Sequence, residues 1–403
     1  MPPAASRAEC EARDAADPLA PFRDRFLLPE GVIYLDGNSL GPLARDVRAR
    51  LIEVIDREWG TDLIQSWWKN DWVGLPRSLG DKIGRLVGAA PGQVVVADST
   101  SVNIFKALTA ALAMRPDRRT ILHETATFPT DGYMAQGVAR LLGQDRVRLR
   151  EAPRDALAGA IDDDVAVVML THAHYKTGHI ADMAGITAAA HAAGALTLWD
   201  LAHSAGALPV ALDASHADFA VGCGYKFLNG GPGGPAFVYV AERLQGEAQQ
   251  PLAGWIGHRN PFEFAAAYEP APGIDRYQCG TPVVLAMAAL DTAVDMLLEA
   301  GMDRVRAKSM ALTATFIARV EASGAGLGLR LDVPRDATVR GSQVCFLHPK
   351  AGAIMQRVIA AGVIGDFRPP ETMRFGFAPL FNRHVDAWDA AERLAALARE
   401  EIG

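Results

Sequence analysis

Cysteine is scarce. Cys10, Cys223, Cys279 and Cys345 are the four in 403 residues, far apart and with no C-x-x-C spacing. That argues against a disulfide framework or a thiolate zinc site, and fits a reducing compartment. No apolar run approaches the ~20 residues a bilayer-spanning helix needs, so no membrane span is expected. The opening stretch MPPAASRAECEARDAADPLA carries acids throughout and lacks the apolar core of a secretory leader, so a cytoplasmic protein is expected. Basic runs are missing too: the net charge is -7, which speaks against nucleic acid as a partner, because phosphate binding needs a basic surface. Internal repeats and low-complexity tracts are absent.

Half of the residues are hydrophobic and 22% are charged, a globular composition. The length exceeds what one core usually organises, so two domains are expected. Residues up to about Pro18 read as a frayed tail. Strand-like runs then alternate with helical patterns: strands at Gln93–Ala97, Arg119–Leu122, Val165–Leu170, Ala195–Trp199 and Phe219–Val221, with helices from Val102 and over Met183–Ala193. Apolar strands alternating with helices imply βαβ units, hence an α/β fold with a mainly parallel central sheet. Past about Leu285 the chain turns to long Ala/Leu/Met/Arg-rich helical stretches with one clear strand, Ser342–Leu347, which reads as a smaller C-terminal α+β domain.

The richest stretch is TLWDLAHSAGALPVALDASHADFAVGCGYKFLNGGPGGP, from Thr197 to Pro235. One strand ends in Asp200, His203 follows, and a second short strand leads to Tyr225 and Lys226. Ligands of parallel α/β sheets bind at such strand ends. A cofactor that acts as an electron sink needs an amine to bind it as a Schiff base, a carboxylate to keep its pyridine nitrogen protonated, and a cradle for its phosphate. Lys226 and Asp200 suit the first two needs. Taken singly, a surface lysine and a capping aspartate would be the ordinary readings; together at successive strand ends they are not. The cradle falls at Asp98-Ser99-Thr100-Ser101-Val102-Asn103, where a strand gives way to hydroxyl residues and a helix begins with free N–H groups and a positive dipole end. An ordinary Ser/Thr cap reads the same way. GGPGGP matches neither a dinucleotide nor a Walker fingerprint and reads as a tight backbone path near the cofactor.

These motifs, with IYLDGNSLGPL, ETATFPTDGYM, GWIGHRNPF and RFGFAPLFNR, span nearly the whole chain, and the sequence resembles the kynureninases, fold-type-I pyridoxal-5′-phosphate (PLP) enzymes related to the aminotransferases. The resemblance implies hydrolysis of L-kynurenine, and of its 3-hydroxy form, to anthranilate or 3-hydroxyanthranilate and L-alanine, a step of tryptophan catabolism that also bears on NAD biosynthesis. It implies that Lys226 is the Schiff-base lysine and base, that Asp200 pairs with the pyridinium nitrogen with His203 close by, and that Phe128 stacks on the ring. Pro129, Thr130 and Asp131 complete that turn, Asp131 supporting the polar edge. Thr100, Ser101 and Tyr225 would reach the phosphate, Tyr225 also relaying a proton, and Thr171 would place a hydroxyl near the cofactor. Arg374 would hold the substrate α-carboxylate by a two-pronged pair, with Asn38 and Ser39 at the same end. Trp255 and Thr281 would come from the other subunit of a homodimer with a composite site. Trp67 or Trp68 would meet the kynurenine ring. The implied division is a tail over 1–20, an arm over 21–45, a large PLP-binding domain over 46–285 and a small domain over 286–403.

Other readings compete at three points. Thr171-His172-Ala173-His174-Tyr175-Lys176-Thr177-Gly178-His179 places alternating histidines on one face, but no acid or cysteine completes a metal set; polar contacts around the cofactor, and no metal, are expected. Cysteine desulfurases share this fold and use a loop cysteine. Cys345 instead lies inside the alternating SQVCFL and Cys279 in a turn with nothing to lower its pKa, so both read as structural. A non-catalytic binding protein on the same fold is the rival from another class, and the joint presence of Lys226, Asp200 and Arg374 weighs against it.

Overall fold

The computed structural model describes residues 2–402. Its centre is a seven-stranded sheet in the order β2-β8-β7-β6-β5-β3-β4. The strands are β2 (Val94–Val96), β3 (Thr120–Glu124), β4 (Arg148–Ala152), β5 (Val165–Thr171), β6 (Leu196–Asp200), β7 (Phe219–Cys223) and β8 (Ala236–Val240); a short β1 (Ile33–Tyr34) lies outside it. Every residue of β2, β3, β5, β6, β7 and β8 is buried. Side chains alternate between two cores: Val94 and Val96 belong to one and Val95 to the other, as do Val168 and Leu170 against Val167 and Met169. This burial on both faces is why these runs are apolar throughout instead of alternating with polar residues. β4 is the exception: it ends the sheet and carries Arg148 and Glu151 into solvent, which discourages pairing with another chain.

The α/β architecture expected from the sequence is the one observed, with one reversal. β8 runs antiparallel to both β7 and β2. The Gly224–Pro235 loop forces it. Too short and irregular for a helical crossover, the loop turns straight back, with Gly224 N–H on the Pro235 carbonyl (3.0 Å) and Gly230 N–H on the Gly224 carbonyl (2.8 Å). A Cβ on Gly224 would lie 2.5 Å from the Pro235 oxygen, so that position requires glycine.

A second sheet, β12-β13-β10-β9, is antiparallel throughout: β9 (Arg330–Leu331), β10 (Gln343–Leu347), β12 (Asp366–Arg368) and β13 (Thr372–Gly376). Phe316, Phe346, Phe375 and Phe377 lie in its core with Leu394 of the last helix. β11 (Val363–Ile364) pairs parallel with β1, which fastens residues 33–34 to this C-terminal part.

The N-terminus departs from expectation. Residues Arg7–Ala15 form a helix, not a frayed tail. Ser6 caps it, its Oγ accepting from Glu9 N–H at 3.1 Å, while Glu9 reaches one residue further back than a capping box would and accepts from Ala5 N–H at 2.8 Å; the spacing is legible as Ser6-x-x-Glu9. The helix docks on the C-terminal helix His384–Ile402: the Asp14 carboxylate accepts from His384 and Val385 N–H (2.6 and 3.0 Å), and Cys10 is fully buried. An Ala- and charge-rich composition hid a docking surface one helix face wide.

Candidate active site

Asp98, Thr171, Asp200 and Lys226 all lie at or just beyond the same end of the large sheet, following β2, β5, β6 and β7. The parallel sense of those four strands gathers there side chains more than a hundred residues apart, around a cavity of ≈ 390 Å³, a size typical of cofactor sites. It is lined by Thr100, Ser101, Phe128, Thr130, Asp131, Thr171, Asp200, His203, Tyr225 and Lys226 among the residues singled out in the sequence, and by Asp98, Ser99, Tyr175 and Cys223 besides.

Lys226 is buried, with Nζ 3.0 Å from His203 Nε2 and 5.6 Å from the centre of the Phe128 ring. Tyr175 meets the Phe128 ring edge-on at 5.3 Å and fixes its plane. Asp200 accepts from Ala202 N–H at Oδ1 (2.8 Å), and among the described residues no donor meets its other oxygen. Burial pushes the Asp200 carboxyl above the usual carboxylate range, while the nearby Lys226 pulls it back. Asp131, buried and close to Asp200, is pushed up more strongly, by burial first and the Asp200 charge second; Thr127 Oγ1 donates to it at 3.2 Å. Burial also drives His203 well below its ordinary pKa, and Lys226 adds to the effect, so the imidazole is neutral. Burial beside Cys223 raises the Tyr225 hydroxyl to about 12, which leaves it a proton donor at neutral pH.

The cradle is built as a helix start. Ser99 is extended and caps the helix Thr100–Met114, its Oγ accepting from Val102 N–H. Asp98 takes a left-handed conformation (φ 50°), uncommon outside glycine. It is held there by the fully buried Lys106, 2.5 Å from its carboxylate, which also donates to the Tyr277 carbonyl. Thr171 is fixed from behind by Arg154, which donates to its hydroxyl (3.0 Å) and carbonyl (2.9 Å) while gripping Glu124 with two bonds of 2.7 and 2.8 Å. Phe128 caps the helix Pro129–Leu142; Pro129, at its first position, is exposed and does not line the cavity.

Arg374 stands beside the cavity wall and is almost fully buried. Each nitrogen of its guanidinium is engaged: with Asp366 through Nε (2.9 Å) and Nη2 (2.5 Å), with the Tyr175 carbonyl through Nη1 (2.7 Å) and with Ser39 Oγ through Nη2 (3.0 Å). With the Asn38 amide oriented to satisfy its neighbours, its oxygen accepts from Arg374 Nε at 2.9 Å. Asn38 and Ser39 are thus brought to Arg374. Trp255 and Thr281 are not brought into the cavity. Trp255 sits in an aromatic cluster with Trp67 (6.2 Å), Phe262 (5.6 Å) and Phe264 (6.3 Å). Thr281 lines a smaller neighbouring cavity that shares Asp98 and Gly233 with the first. Trp67 packs edge-on against Trp72 and Trp255, whereas Trp68 is exposed against Phe262; neither lines the cavity.

The histidine run supplies polar contacts. His172 Nδ1 meets Ser204 Oγ (2.9 Å), while His174 donates to the Ala126 carbonyl (2.9 Å) and accepts from Thr177 N–H (3.1 Å). Cys345 is buried in β10 and burial pushes its thiol far up, opposite to what a nucleophile needs. Tyr175, Gln343 and Asp366 were not reached from sequence. Tyr175 lies inside the histidine run and Gln343 two residues before Cys345, and nothing in either local pattern marks a contact with the cavity or with His203.

The fit to an electron-sink cofactor rests on the donor set. A raised carboxyl with one free oxygen, a buried amine and an uncovered helix start share one cavity walled by an aromatic face, which matches a pyridine nitrogen, an aldehyde carbon, a phosphate and a ring.

Comparison with known proteins gives a consistent picture. Residues 305–394 match the model of the kynureninase C-terminal domain. A kynureninase of Burkholderia pseudomallei (strain 1106a) is 51% identical over 394 residues, covering 96% of this chain and 94% of the relative. A kynureninase of Deinococcus radiodurans is 51% identical over 406 residues, covering 100% and 98%. Among solved structures, cysteine desulfurases of Thermococcus onnurineus NA1 (TM-score 0.77, 16% identity, 95% of this chain and 97% of that one) and Escherichia coli (0.78, 20%, 96% and 99%) share the fold.

Proposed function

The chain belongs to the kynureninase family, and from that premise we propose how its residues divide the work. The reaction is hydrolysis of L-kynurenine to anthranilate and L-alanine, with pyridoxal 5′-phosphate as cofactor. When bound, the cofactor supplies an electron sink for the charge left when bonds at the substrate's α- and β-carbons break. The observation that carries the assignment is the convergence of Lys226, His203 and the raised Asp200 carboxyl on one cavity.

Lys226 would hold the cofactor, and its Nζ is placed to take the substrate's α-proton. Asp200 holds a proton on the pyridine nitrogen through its free oxygen. Thr100 and Ser101, at the helix start, bind the phosphate with N–H and hydroxyl groups. Phe128 covers one face of the ring, and Thr130, Asp131 and Thr171 border its polar edge. Tyr225 keeps its hydroxyl proton at neutral pH and donates it. Arg374, Asn38 and Ser39 receive the substrate carboxylate, which must share or replace Asp366 in the guanidinium fork. 3-Hydroxykynurenine is a second substrate on this reading.

The assembly is a homodimer whose sites draw Trp255 and Thr281 from the second copy. What supports it is the partly exposed aromatic surface around Trp255, where Trp68 is 65% and Phe264 77% exposed, more apolar surface than a lone subunit usually leaves in water. No helix among the described residues is long and apolar enough to cross a membrane; the cytoplasm is the proposed location. The test is direct. Purified protein should release fluorescent anthranilate from L-kynurenine, and borohydride should fix the cofactor to the peptide bearing Lys226. A label on any other lysine overturns the assignment.

A further inference from the structure

His203 is buried between two partners. Its Nε2 is 3.0 Å from Lys226 Nζ and its Nδ1 is 2.9 Å from Gln343 Oε1. Gln343 comes from β10, in the C-terminal sheet, and is itself 2% exposed. Its Nε2 donates to the carbonyls of His174 (3.0 Å), Tyr175 (2.7 Å) and Lys176 (3.3 Å). Carbonyl oxygens only accept, so the amide cannot be turned: reversing it would press Oε1 against three other oxygens. Oε1 therefore faces His203, where it too can only accept. The proton must then sit on His203 Nδ1. A neutral imidazole carries one N–H, which leaves a lone pair on Nε2 aimed at Lys226. We propose that Gln343 is a positioning residue that locks His203 in the Nδ1–H tautomer, so that Nε2 is a fixed proton acceptor for the Lys226 amine.

The arrangement gives the lysine a direction. With one N–H held by His203 Nε2, the remaining N–H and lone pair turn toward the cavity, and the ammonium formed when Lys226 takes a proton finds an acceptor in place. In the other tautomer, Nε2–H would occupy the lone pair of the neutral amine, and once Lys226 is an ammonium the two would face each other as donors. A doubly protonated ring would likewise set two cations side by side, with Arg374 and Arg368 adding further positive charge; the carboxylates that act on the pair from the Lys226 side are Asp200 and Asp131. This inference rests on Lys226 being the reactive amine, but its first measurement does not.

Full-length protein labelled with ¹⁵N in the histidine rings, with the His203 signals identified by their loss in His203→Gln, reads the tautomer without any cofactor. Wild type should show the proton on Nδ1 only; a proton on Nε2 overturns the proposal, whatever any variant does. Gln343→Leu, which removes the acceptor, should shift the population toward Nε2–H. If Leu retains Nδ1–H as fully as wild type, Gln343 does not set the tautomer. In the cofactor-loaded enzyme, Gln343→Leu should move the pH midpoint of the visible absorbance band by about one unit, tenfold in the proton equilibrium. An unmoved midpoint in a variant whose tautomer has changed shows that His203 does not act on Lys226. Failure of borohydride labelling at Lys226 would sink the wider functional reading and leave the tautomer result standing.

Discussion

Arg154 offers the sharpest quantitative test of how the site is held. Its side chain is 12% exposed and its partner Glu124 only 4%. It makes six hydrogen bonds: two to the Glu124 carboxylate, two to Thr171, and one each to the His172 and His179 carbonyls. Arg154→Met keeps much of the apolar stem and removes all six. The carbonyls can recruit water, but the Glu124 charge is left buried without a partner, and breaking such a pair from one side costs about 3–5 kcal/mol. Glu124→Gln alone should cost a similar amount by stranding the guanidinium. The double variant Glu124→Gln/Arg154→Met buries no charge and should recover a large part, giving a coupling energy of about 2 kcal/mol or more. Urea unfolding of the cofactor-free proteins, followed by tryptophan fluorescence, measures all four corners of the cycle. A single Arg154→Met variant within about 1 kcal/mol of wild type, or strictly additive losses, would refute the reasoning. In that event Thr171 would be held by the sheet alone, not by the ion pair behind it.

Three further outcomes are expected. Gly376→Ala would set a Cβ 1.7 Å from an atom of the Asn38 amide group, its nitrogen in the orientation that bonds Arg374; because Asn38 is fully buried, it must leave Arg374, and KM for kynurenine should rise about tenfold, one lost hydrogen bond to a charged group, with Lys226 labelling intact. An unchanged KM removes Asn38 from the carboxylate end. His172, pushed down to about 4 by burial, stays neutral when folded while the unfolded chain takes up its proton near 6.5. Its contribution is therefore full above pH 6.5 and lost as pH falls from 6.5 to 4, by up to about 3 kcal/mol; His172→Gln should flatten that stretch of the stability–pH curve, and an unaltered curve rules the effect out. Lys226→Ala and Trp255→Ala homodimers should each be poorly active, but subunit exchange between them should restore about a quarter of wild-type activity; a mixture no better than the parents' average, despite confirmed exchange, places Trp255 in its own chain's site.

What could be read from sequence was what local pattern encodes. The strands of the large sheet stand out because burial on both faces leaves them apolar, and Asp200 and Lys226 stand out because each ends such a run. The reversal of β8 was not visible, since Ala236–Val240 has the same composition whichever way it runs; only the length of the loop before it hints at the sense. The partners of Arg374 were hidden for another reason. Ser39 and Tyr175 reach it from two distant stretches of chain, a meeting no local spacing records, and Asp366, eight residues away, faces it only through the β12–β13 register. The N-terminal helix is legible through the Ser6-x-x-Glu9 spacing, a signal that its Ala- and charge-rich composition masks.

The reversed strand also sets an order in time. β2 has β8 as its only ladder partner among the described residues, and Val95 pairs with Val238, 143 positions further along the chain. At the ribosome, where chains grow by roughly 5–20 residues per second, β2 would wait on the order of 7–30 s for that partner to emerge. The helix start at Thr100 and Ser101 hangs directly from β2. The corner proposed to bind the phosphate would therefore be among the last parts of the large sheet to take shape, although its residues are among the first to be made.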